Sequence, residues 1–344
     1  MRAGLLTAIR EVQPGEVPDP VPGPRDALVA VRSVGVCGSD VHYYLRGCIG
    51  SQVVKEFPFV LGHEAAGEVV SVGSEVQRVR PGDRVAIEPG IPCGACEPCV
   101  TGWYNLCRHM RYLGTPPVHG AYCEYLAVPE PFAHPLPPEL SFEDGAMVEI
   151  LAIGVYAADL GEVRPGQTVA VLGGGSVGLV TLQSALAAGA GPTFVTEPLA
   201  PRRQAALRSG ATAAFDPRSQ DVVAAILDAT GGRGVDMAFE AAGAVESHQQ
   251  LADVVRPGGI VVLIGSCADD LVPLPLASFR RKGLTVKFLR RFCHTYPRAI
   301  ELARTGKVDL RLLVTHRYPL AALGDAFRLV EEYADGVIKA VVAP

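Results

Sequence analysis

Residues 168–189 read TVAVLGGGSVGLVTLQSALAAG: an apolar strand text, a glycine cluster and an Ala/Leu-rich helical text, each following directly on the last. No other stretch constrains the fold as much. A G-x-G-x-x-G pattern alone is common, but a strand immediately before it and a helix immediately after make it a dinucleotide-binding loop. Gly173 permits the tight turn, Gly175 lets backbone amides approach a pyrophosphate, and Gly178 lets helix and strand pack closely. Ser176 and Val177 stand where the helix opens, so its N-terminus faces the phosphate charge. The next strand text ends at Glu197, 19 residues beyond Gly178. An acid there accepts hydrogen bonds from a ribose 2′-hydroxyl and repels a 2′-phosphate, which favours NAD over NADP. Arg202, a further candidate for cofactor binding, and Arg203 lie close behind and could in principle hold a phosphate.

The loop sits in a longer pattern. Apolar strand texts at 168–172, 193–196, 213–215, 235–239, 260–264 and 284–288 alternate with helical stretches, which predicts an α/β domain with a doubly wound parallel sheet. Before it, some 150 residues are β-rich, with short Val-rich runs at 27–31, 67–72 and 84–87 separated by Pro, Gly and Asp. That predicts an irregular, barrel-like domain. Beyond residue 289 the text turns polar and aromatic again, RRFCHTYP, and the roughly 55 remaining residues are too few to bury a core alone. The expected organisation is therefore a first domain over 1–151, the sheet domain inserted over 152–289, and a return segment over 290–344 that completes the first domain. At 344 residues, 49% hydrophobic, the chain is long enough for two cores.

Charge and composition exclude some functions. With 31 Lys and Arg against 36 Asp and Glu and no basic stretch, nucleic acid is not expected as a partner. Arg10 and Glu11 interrupt the N-terminal text before a secretory apolar segment can build, and no apolar run is long enough for a bilayer. Of nine cysteines, Cys93, Cys96, Cys99 and Cys107 have the spacing C-x2-C-x2-C-x7-C in a Gly- and Pro-rich loop. Four thiolates can close a tetrahedral zinc shell with no open position, the form of a structural site. Two disulfides would need an oxidising compartment, and an iron–sulfur cluster is the other alternative. Thiolates in a reducing compartment fit best, so the cytoplasm is expected. A second set is dispersed: Cys37, His63, Glu64 and Glu149. Thiolate, imidazole and carboxylate can hold zinc and leave a position for water or a substrate oxygen, though each residue alone also fits a core or a turn.

Taken together, these residues and the text around them resemble the zinc-dependent medium-chain alcohol dehydrogenases, within them the sorbitol (L-iditol 2-) or polyol dehydrogenase branch. The likeness runs through CGSDVHYY, VVKEFPFVLGHEAAGEVVSVG, PGDRVAIEPG, the four-cysteine lobe ending YNLC, TPPVHGAYCEY, VLGGGSVGLV, RRFCHTYPRAI and LVTHRYPL, essentially the whole chain. GHEAAG, five residues before Gly73, matches the family's zinc signature. The resemblance implies a Rossmann doubly wound sheet plus an irregular β-rich GroES-like catalytic domain, two Zn2+ per chain, NAD, and a homo-oligomer, either tetramer or dimer. It implies that Cys37, His63 and Glu64 hold the catalytic zinc, with Glu149 bound directly or through a water. Many members have cysteine at the Glu149 position, whereas the polyol branch has glutamate; the following Ile150, where that branch usually has proline, is a departure.

The implied chemistry moves a hydride from a secondary alcohol of a polyol to the nicotinamide, giving a ketose. Ser39 and His42, two and five residues after Cys37, stand where the family relays the hydroxyl proton to solvent. Tyr43, Arg291 and Phe292 stand at the substrate-pocket positions of polyol dehydrogenases, with Arg291 able to serve hydroxyls as a multi-donor fork. Two rival readings remain: amino-alcohol oxidation as in threonine dehydrogenases, and a non-catalytic zinc-stabilised nucleotide-binding protein.

Overall fold

The computed structural model describes residues 1–267 and 271–344. They divide into two units, one formed by Met1–Glu149, Ala299–Arg304 and Leu313–Pro344, the other by Ile150–Arg298 and Thr305–Leu312. The segment expected to return to the first domain from residue 290 therefore does so in pieces, because 290–298 and 305–312 cluster with the second unit.

In the first unit a seven-stranded sheet is built around β1 (Asp26–Gly35), which is followed at once by α1 (Gly38–Arg46). One edge of β1 pairs antiparallel with β2 (Glu64–Val72) over its length, from Ala27 opposite Val72 to Gly35 opposite Glu64. β3 (Arg84–Ile87) continues the sheet beyond β2. The other edge of β1 is shared. β4 (Tyr125–Pro129) pairs with its first half, and the C-terminal strand Lys339–Ala343 pairs with Val34 and Gly35 at its end. Two partners diverging from one edge give the sheet its irregular shape. β5 (Ala133–Pro135) closes it against β3, and Val29, Val31, Val34, Tyr122 and Phe327 are among the core residues beneath it. At Gly35 a Cβ would come within 2.0 Å of a Glu64 carboxylate oxygen, so only glycine leaves room for that side chain.

Helix α2 (Phe142–Gly161) leads into the second unit, whose six strands are β6 (Val169–Leu172), β7 (Thr193–Thr196), β8 (Ala213–Phe215), β9 (Val235–Glu240), β10 (Val255–Leu263) and β11 (Thr285–Phe288). They pair in parallel in the order β8-β7-β6-β9-β10-β11. All six strands anticipated from the alternating text are present. Every residue of β6, β7 and β9 is buried, as expected for a parallel sheet covered on both faces. Helix α3 (Ser176–Ala187) follows β6, and α4 (Val245–Val254) follows β9. Because the chain steps from β6 to one side and later resumes on the other at β9, the C-terminal end of β6 is the topological switch point where such sheets receive ligands.

The opposite end of the sheet is tied by Asp236. One carboxylate oxygen accepts from the Thr168 amide and hydroxyl, both at 2.9 Å, and the other accepts from Arg233 and Arg256, both at 2.7 Å. Burial pushes the carboxyl pKa up, but the two guanidinium groups and Thr168 outweigh it and hold the group well below the usual carboxylate range. A depressed folded pKa contributes stability above the ordinary carboxylate range and loses it only as pH falls toward the folded value. Asp236→Asn should cost about 2 kcal/mol at neutral pH. In urea titrations that gap should hold down to about pH 5 and narrow only in stronger acid.

Candidate active site

Cys37 is the N-cap of α1, directly beyond β1, and its half-buried thiol faces the start of β2. There the β1–β2 register sets buried His63 and Glu64. Ligand atoms of Cys37, His63 and Glu64 all lie within 4.8 Å of one another. Two further side chains hold this set. Asp40, 1% exposed, accepts from the Cys37 and Gly62 amides, each at 3.1 Å, and lies 3.5 Å from Nδ1 of His63. Tyr122 places its hydroxyl 3.1 Å from the same carboxylate. Lys339, from the C-terminal strand, donates to both Glu64 oxygens at 2.7 and 2.9 Å and to the Val36 carbonyl at 3.1 Å. Burial pushes the His63 pKa down, but Asp40 and Cys37 outweigh it and raise it well above the usual value. With Lys339 balancing Glu64, the thiol, imidazole and carboxylate together make a donor set suited to a divalent cation.

Glu149 falls outside that three-residue set. It is buried on α2 and accepts from the Tyr112 hydroxyl at 2.8 Å, while the Tyr112 ring packs on His63 at 5.7 Å between centroids. Burial chiefly, with Glu64 adding, pushes its carboxyl up to about 7, against the opposing pull of His63, Tyr112 and Lys339. Ser39 and His42 lie three apart on α1, on neighbouring helical positions, and both are half-buried. Burial and then Arg46 lower the His42 pKa, so its ring is neutral near pH 7 and able to take a proton. Tyr43, one residue on, belongs to the hydrophobic core and is 2% exposed. Phe292 is also buried, its ring tilted at 46° to that of Tyr296 with 5.3 Å between centroids, and Arg291 beside it has a left-handed φ of 54°. These last two lie in the second unit and Tyr43 in the first.

The four-cysteine lobe is equally well defined. Cys93, Cys96, Cys99 and Cys107 form a second set of ligand atoms within 4.8 Å. Sulfur–sulfur distances of 3.4 Å between Cys96 and Cys99 and 3.7 Å between Cys96 and Cys107 are far beyond a disulfide bond, and none of the nine cysteines is in a disulfide. Backbone amides point at the sulfurs: Cys93 and His109 donate to Cys107 at 3.3 Å, and Cys96 donates to Cys93 at 3.4 Å. Amides of Cys99 and Arg108 bring the Cys96 thiol down to about 6, whereas burial and its sulfur neighbours push Cys99 up to about 12. Thiols whose ionisation is coupled at this range resolve their repulsion by sharing a cation.

In the second unit, Gly173 to Gly178 turn from β6 into α3 at the switch point. A Cβ at Gly178 would lie 1.9 Å from the Gly173 carbonyl oxygen, so the helix packs on the loop only with glycine there. A Cβ at Gly175, the helix N-cap, would meet nothing nearer than Arg202 Nη1 at 3.7 Å. The space that Gly175 leaves is a cradle above the first amides of the helix, those of Ser176 and Val177. Glu197 directly follows β7, but its carboxylate is turned inward: it is 4% exposed and accepts from the Gly174 and Leu199 amides, each at 2.9 Å. Each oxygen retains a further lone pair, so acceptance from a sugar hydroxyl stays open. Arg202 is buried beside the loop, whereas Arg203 pairs with Asp216 at 3.0 Å and donates to the Glu197 and Pro198 carbonyls.

Comparison with known proteins decides the family. Residues 23–138 match the alcohol dehydrogenase GroES-like domain, and residues 176–305 match the zinc-binding dehydrogenase model. The sorbitol dehydrogenase of Bacillus subtilis is 39% identical over all of this chain and 97% of its own length. The chain belongs to the zinc-binding alcohol dehydrogenase family. A crystal structure of an Escherichia coli oxidoreductase/dehydrogenase of unknown specificity superposes with a TM-score of 0.95 at 34% identity, covering 99% of this chain and 98% of that one. Another, from Sinorhizobium meliloti and described as a zinc-binding dehydrogenase bound to NADP, has a TM-score of 0.92 at 34% identity, covering 100% and 99%. The resemblance and fold class expected from the sequence are thus borne out.

For this zinc-binding dehydrogenase the structure adds residues that the sequence did not single out. Asp40 had a local signal, standing at the N3 position of a capping box with Cys37. Lys339 had only the oddity of a lysine in the apolar run VIKAVVA, 275 residues from Glu64. Tyr112 had none. Removing one partner of a buried ion pair leaves the other charge without compensation, at a cost of about 3–5 kcal/mol. Lys339→Met should therefore lower stability by about 3 kcal/mol in urea unfolding, and Lys339→Arg should lower it less.

Proposed function

We propose that this chain is a zinc- and NAD-dependent polyol dehydrogenase, a cytoplasmic homo-oligomer that oxidises a secondary hydroxyl of sorbitol, xylitol or a similar polyol to a ketose. The observation that carries the reading is the buried convergence of Cys37, His63 and Glu64, with Lys339 balancing one negative charge and Glu149 nearby. We assign Cys37, His63 and Glu64 to the catalytic zinc, with Glu149 completing its surroundings, and the four thiols of the cysteine lobe to a structural zinc. A zinc held by these residues would lower the pKa of the substrate hydroxyl, and a nicotinamide held at the glycine loop would take the hydride from the carbon that bears that hydroxyl. Asp40 fixes the orientation of His63. Ser39 and His42, on one face of α1, carry the hydroxyl proton outward, His42 being neutral and ready to receive it. Tyr43, Arg291 and Phe292 are assigned to substrate recognition. The name of the Bacillus subtilis relative supports a polyol over a simple alcohol. Unbridged thiols suit a reducing compartment.

One experiment tests both metals and the substrate class. Metal analysis should find two zincs per chain, Cys37→Ser should lose turnover while staying folded, and Cys96→Ser should lower the thermal midpoint. NADH production should be faster with sorbitol or xylitol than with threonine or ethanol. One zinc or none, or ethanol oxidised as fast as sorbitol, overturns the assignment.

The dinucleotide preference rests on Glu197, Gly174 and the neighbouring arginines. A 2′-phosphate would meet a carboxylate held in place by two backbone amides, a penalty of about 1–3 kcal/mol when partly screened. Arg203 is already committed to Asp216 and two carbonyls. The NADP in the Sinorhizobium meliloti structure means that this preference is set locally rather than by the fold. NAD should therefore exceed NADP in kcat/KM by at least about tenfold, and Glu197→Ala should narrow the ratio. Equal efficiency with both in the unmodified enzyme refutes the preference.

A further inference from the structure

Glu64 and Glu149 are both buried close to His63, but different partners hold them. Glu64 takes the Lys339 ammonium on both oxygens and belongs to the three-residue ligand set. Glu149 lies outside that set, and among the described residues its carboxylate accepts one hydrogen bond, from the Tyr112 hydroxyl at 2.8 Å. The tyrosine that donates it is firmly placed. Tyr112 ends the two-residue strand Arg111–Tyr112, which pairs antiparallel with Gly90–Ile91 and sets Tyr112 opposite Gly90. Its carbonyl accepts from the Thr115 amide at 3.1 Å, and the next amide, that of Leu113, donates to the Pro89 carbonyl at 3.0 Å. A Cβ on Gly90 would come within 3.3 Å of the Tyr112 ring, so the ring packs closely on that strand. The same ring lies against His63, tilted by 53°. One side chain thus touches both a candidate ligand and the carboxylate that stands apart from the ligands.

We propose that Tyr112 is a positioning residue whose hydroxyl tethers Glu149 and keeps that carboxylate from closing the position that Cys37, His63 and Glu64 leave for a substrate oxygen. The proposal rests on the assignment of those three residues to zinc. Three protein ligands leave one tetrahedral position open, whereas a fourth would give the closed shell of a structural site. A site with a spare carboxylate beside it therefore needs something to hold that carboxylate away. The Tyr112 hydroxyl does so at a point fixed by strand pairing rather than by a flexible side chain. Tyr112→Phe removes the tether and keeps the ring on His63. Glu149, 3% exposed and without its donor, then turns to the metal, because a buried carboxylate is stable only against a donor or a positive charge.

The test follows zinc release from the full, metal-loaded chain to an excess of the chelating dye 4-(2-pyridylazo)resorcinol. Cys37→Ser identifies the phase that belongs to the three-residue set, and release from the four-cysteine lobe is the internal reference. Tyr112→Phe should slow the first phase about tenfold, the scale on which partners of metal ligands act, and leave the second within about twofold. It should also lower kcat with a polyol by about tenfold, since the position for the substrate oxygen is then occupied. In a Glu149→Gln background, where the freed group is an amide and a poor zinc ligand, adding Tyr112→Phe should change the first phase less than about twofold, which a purely structural role for the tyrosine would not allow. An unchanged or faster first phase in a Tyr112→Phe protein with unaltered circular dichroism overturns the tether and leaves the zinc assignment standing. If Cys37→Ser removes no zinc phase, the assignment and the tether fall together. A zinc-loaded crystal structure of the unmodified protein in which a Glu149 oxygen binds the metal directly overturns the tether without recourse to any variant.

Discussion

The first unit depends on one buried ion pair. Lys339 and Glu64 meet where β1 ends, each almost wholly out of water, and neither charge is tolerable there without the other. The pair holds the last strand of the chain against β2 across the end of β1, with the Lys339 ammonium also capping the Val36 carbonyl. Cys37 follows one residue later and His63 precedes Glu64, so the same contact sets how three candidate ligands approach one another. Gly35 is the counterpart of this arrangement, a strand position without a side chain because the Glu64 carboxylate occupies its space. A hydrophobic replacement of the pair would fill the same space, but it would not leave a carboxylate beside a thiol and an imidazole.

The second unit works by a different rule. Its sheet is buried on both faces, and its polar work is done at the two ends of the strands. Asp236 gathers β6, β9 and β10 at one end, while the glycine loop, Glu197 and Glu240 lie at the other. At this second end, carboxylates are held by backbone amides: Glu197 by Gly174 and Leu199, Glu240 by Ala242 and Gly243. Fixing a negative charge with main-chain dipoles needs no cation nearby, and of the glycine-loop amides it occupies that of Gly174.

What could be read from the sequence was what is written locally. The glycine loop, the four cysteines within fifteen positions and the six apolar strands are each set by spacing along a short stretch, and a short stretch is where periodicity and ligand geometry show. Glu149, Cys37 and His63 are far apart in sequence, and only the resemblance to a family joined them. Their supports stayed hidden for the same reason. Nothing in the text around Tyr112 points to a hydroxyl bond with Glu149, and nothing near Lys339 points to Glu64. Glu197 shows a subtler limit: its position at the end of β7 was legible, but the inward turn of its carboxylate depends on amides contributed by a neighbouring loop. The return segment was legible as a whole and not in its division, because 290–298 and 305–312 carry no compositional mark of the unit they join.

The strand order of the first unit also bears on how the molecule is made. Lys339 bonds to Val36 across 303 residues, and the strand that carries it pairs with Val34 and Gly35 at the end of one edge of β1. A chain emerging from the ribosome can complete the parallel sheet of residues 169–288 while that edge is still open, since domains fold largely as units and non-local pairing is slow. Until the strand Lys339–Ala343 is in place, β1 exposes unpaired backbone and Glu64 lacks the Lys339 counter-charge. The Cys37, His63 and Glu64 set therefore matures after the parallel sheet, and loss of the strand Lys339–Ala343 would strike it directly.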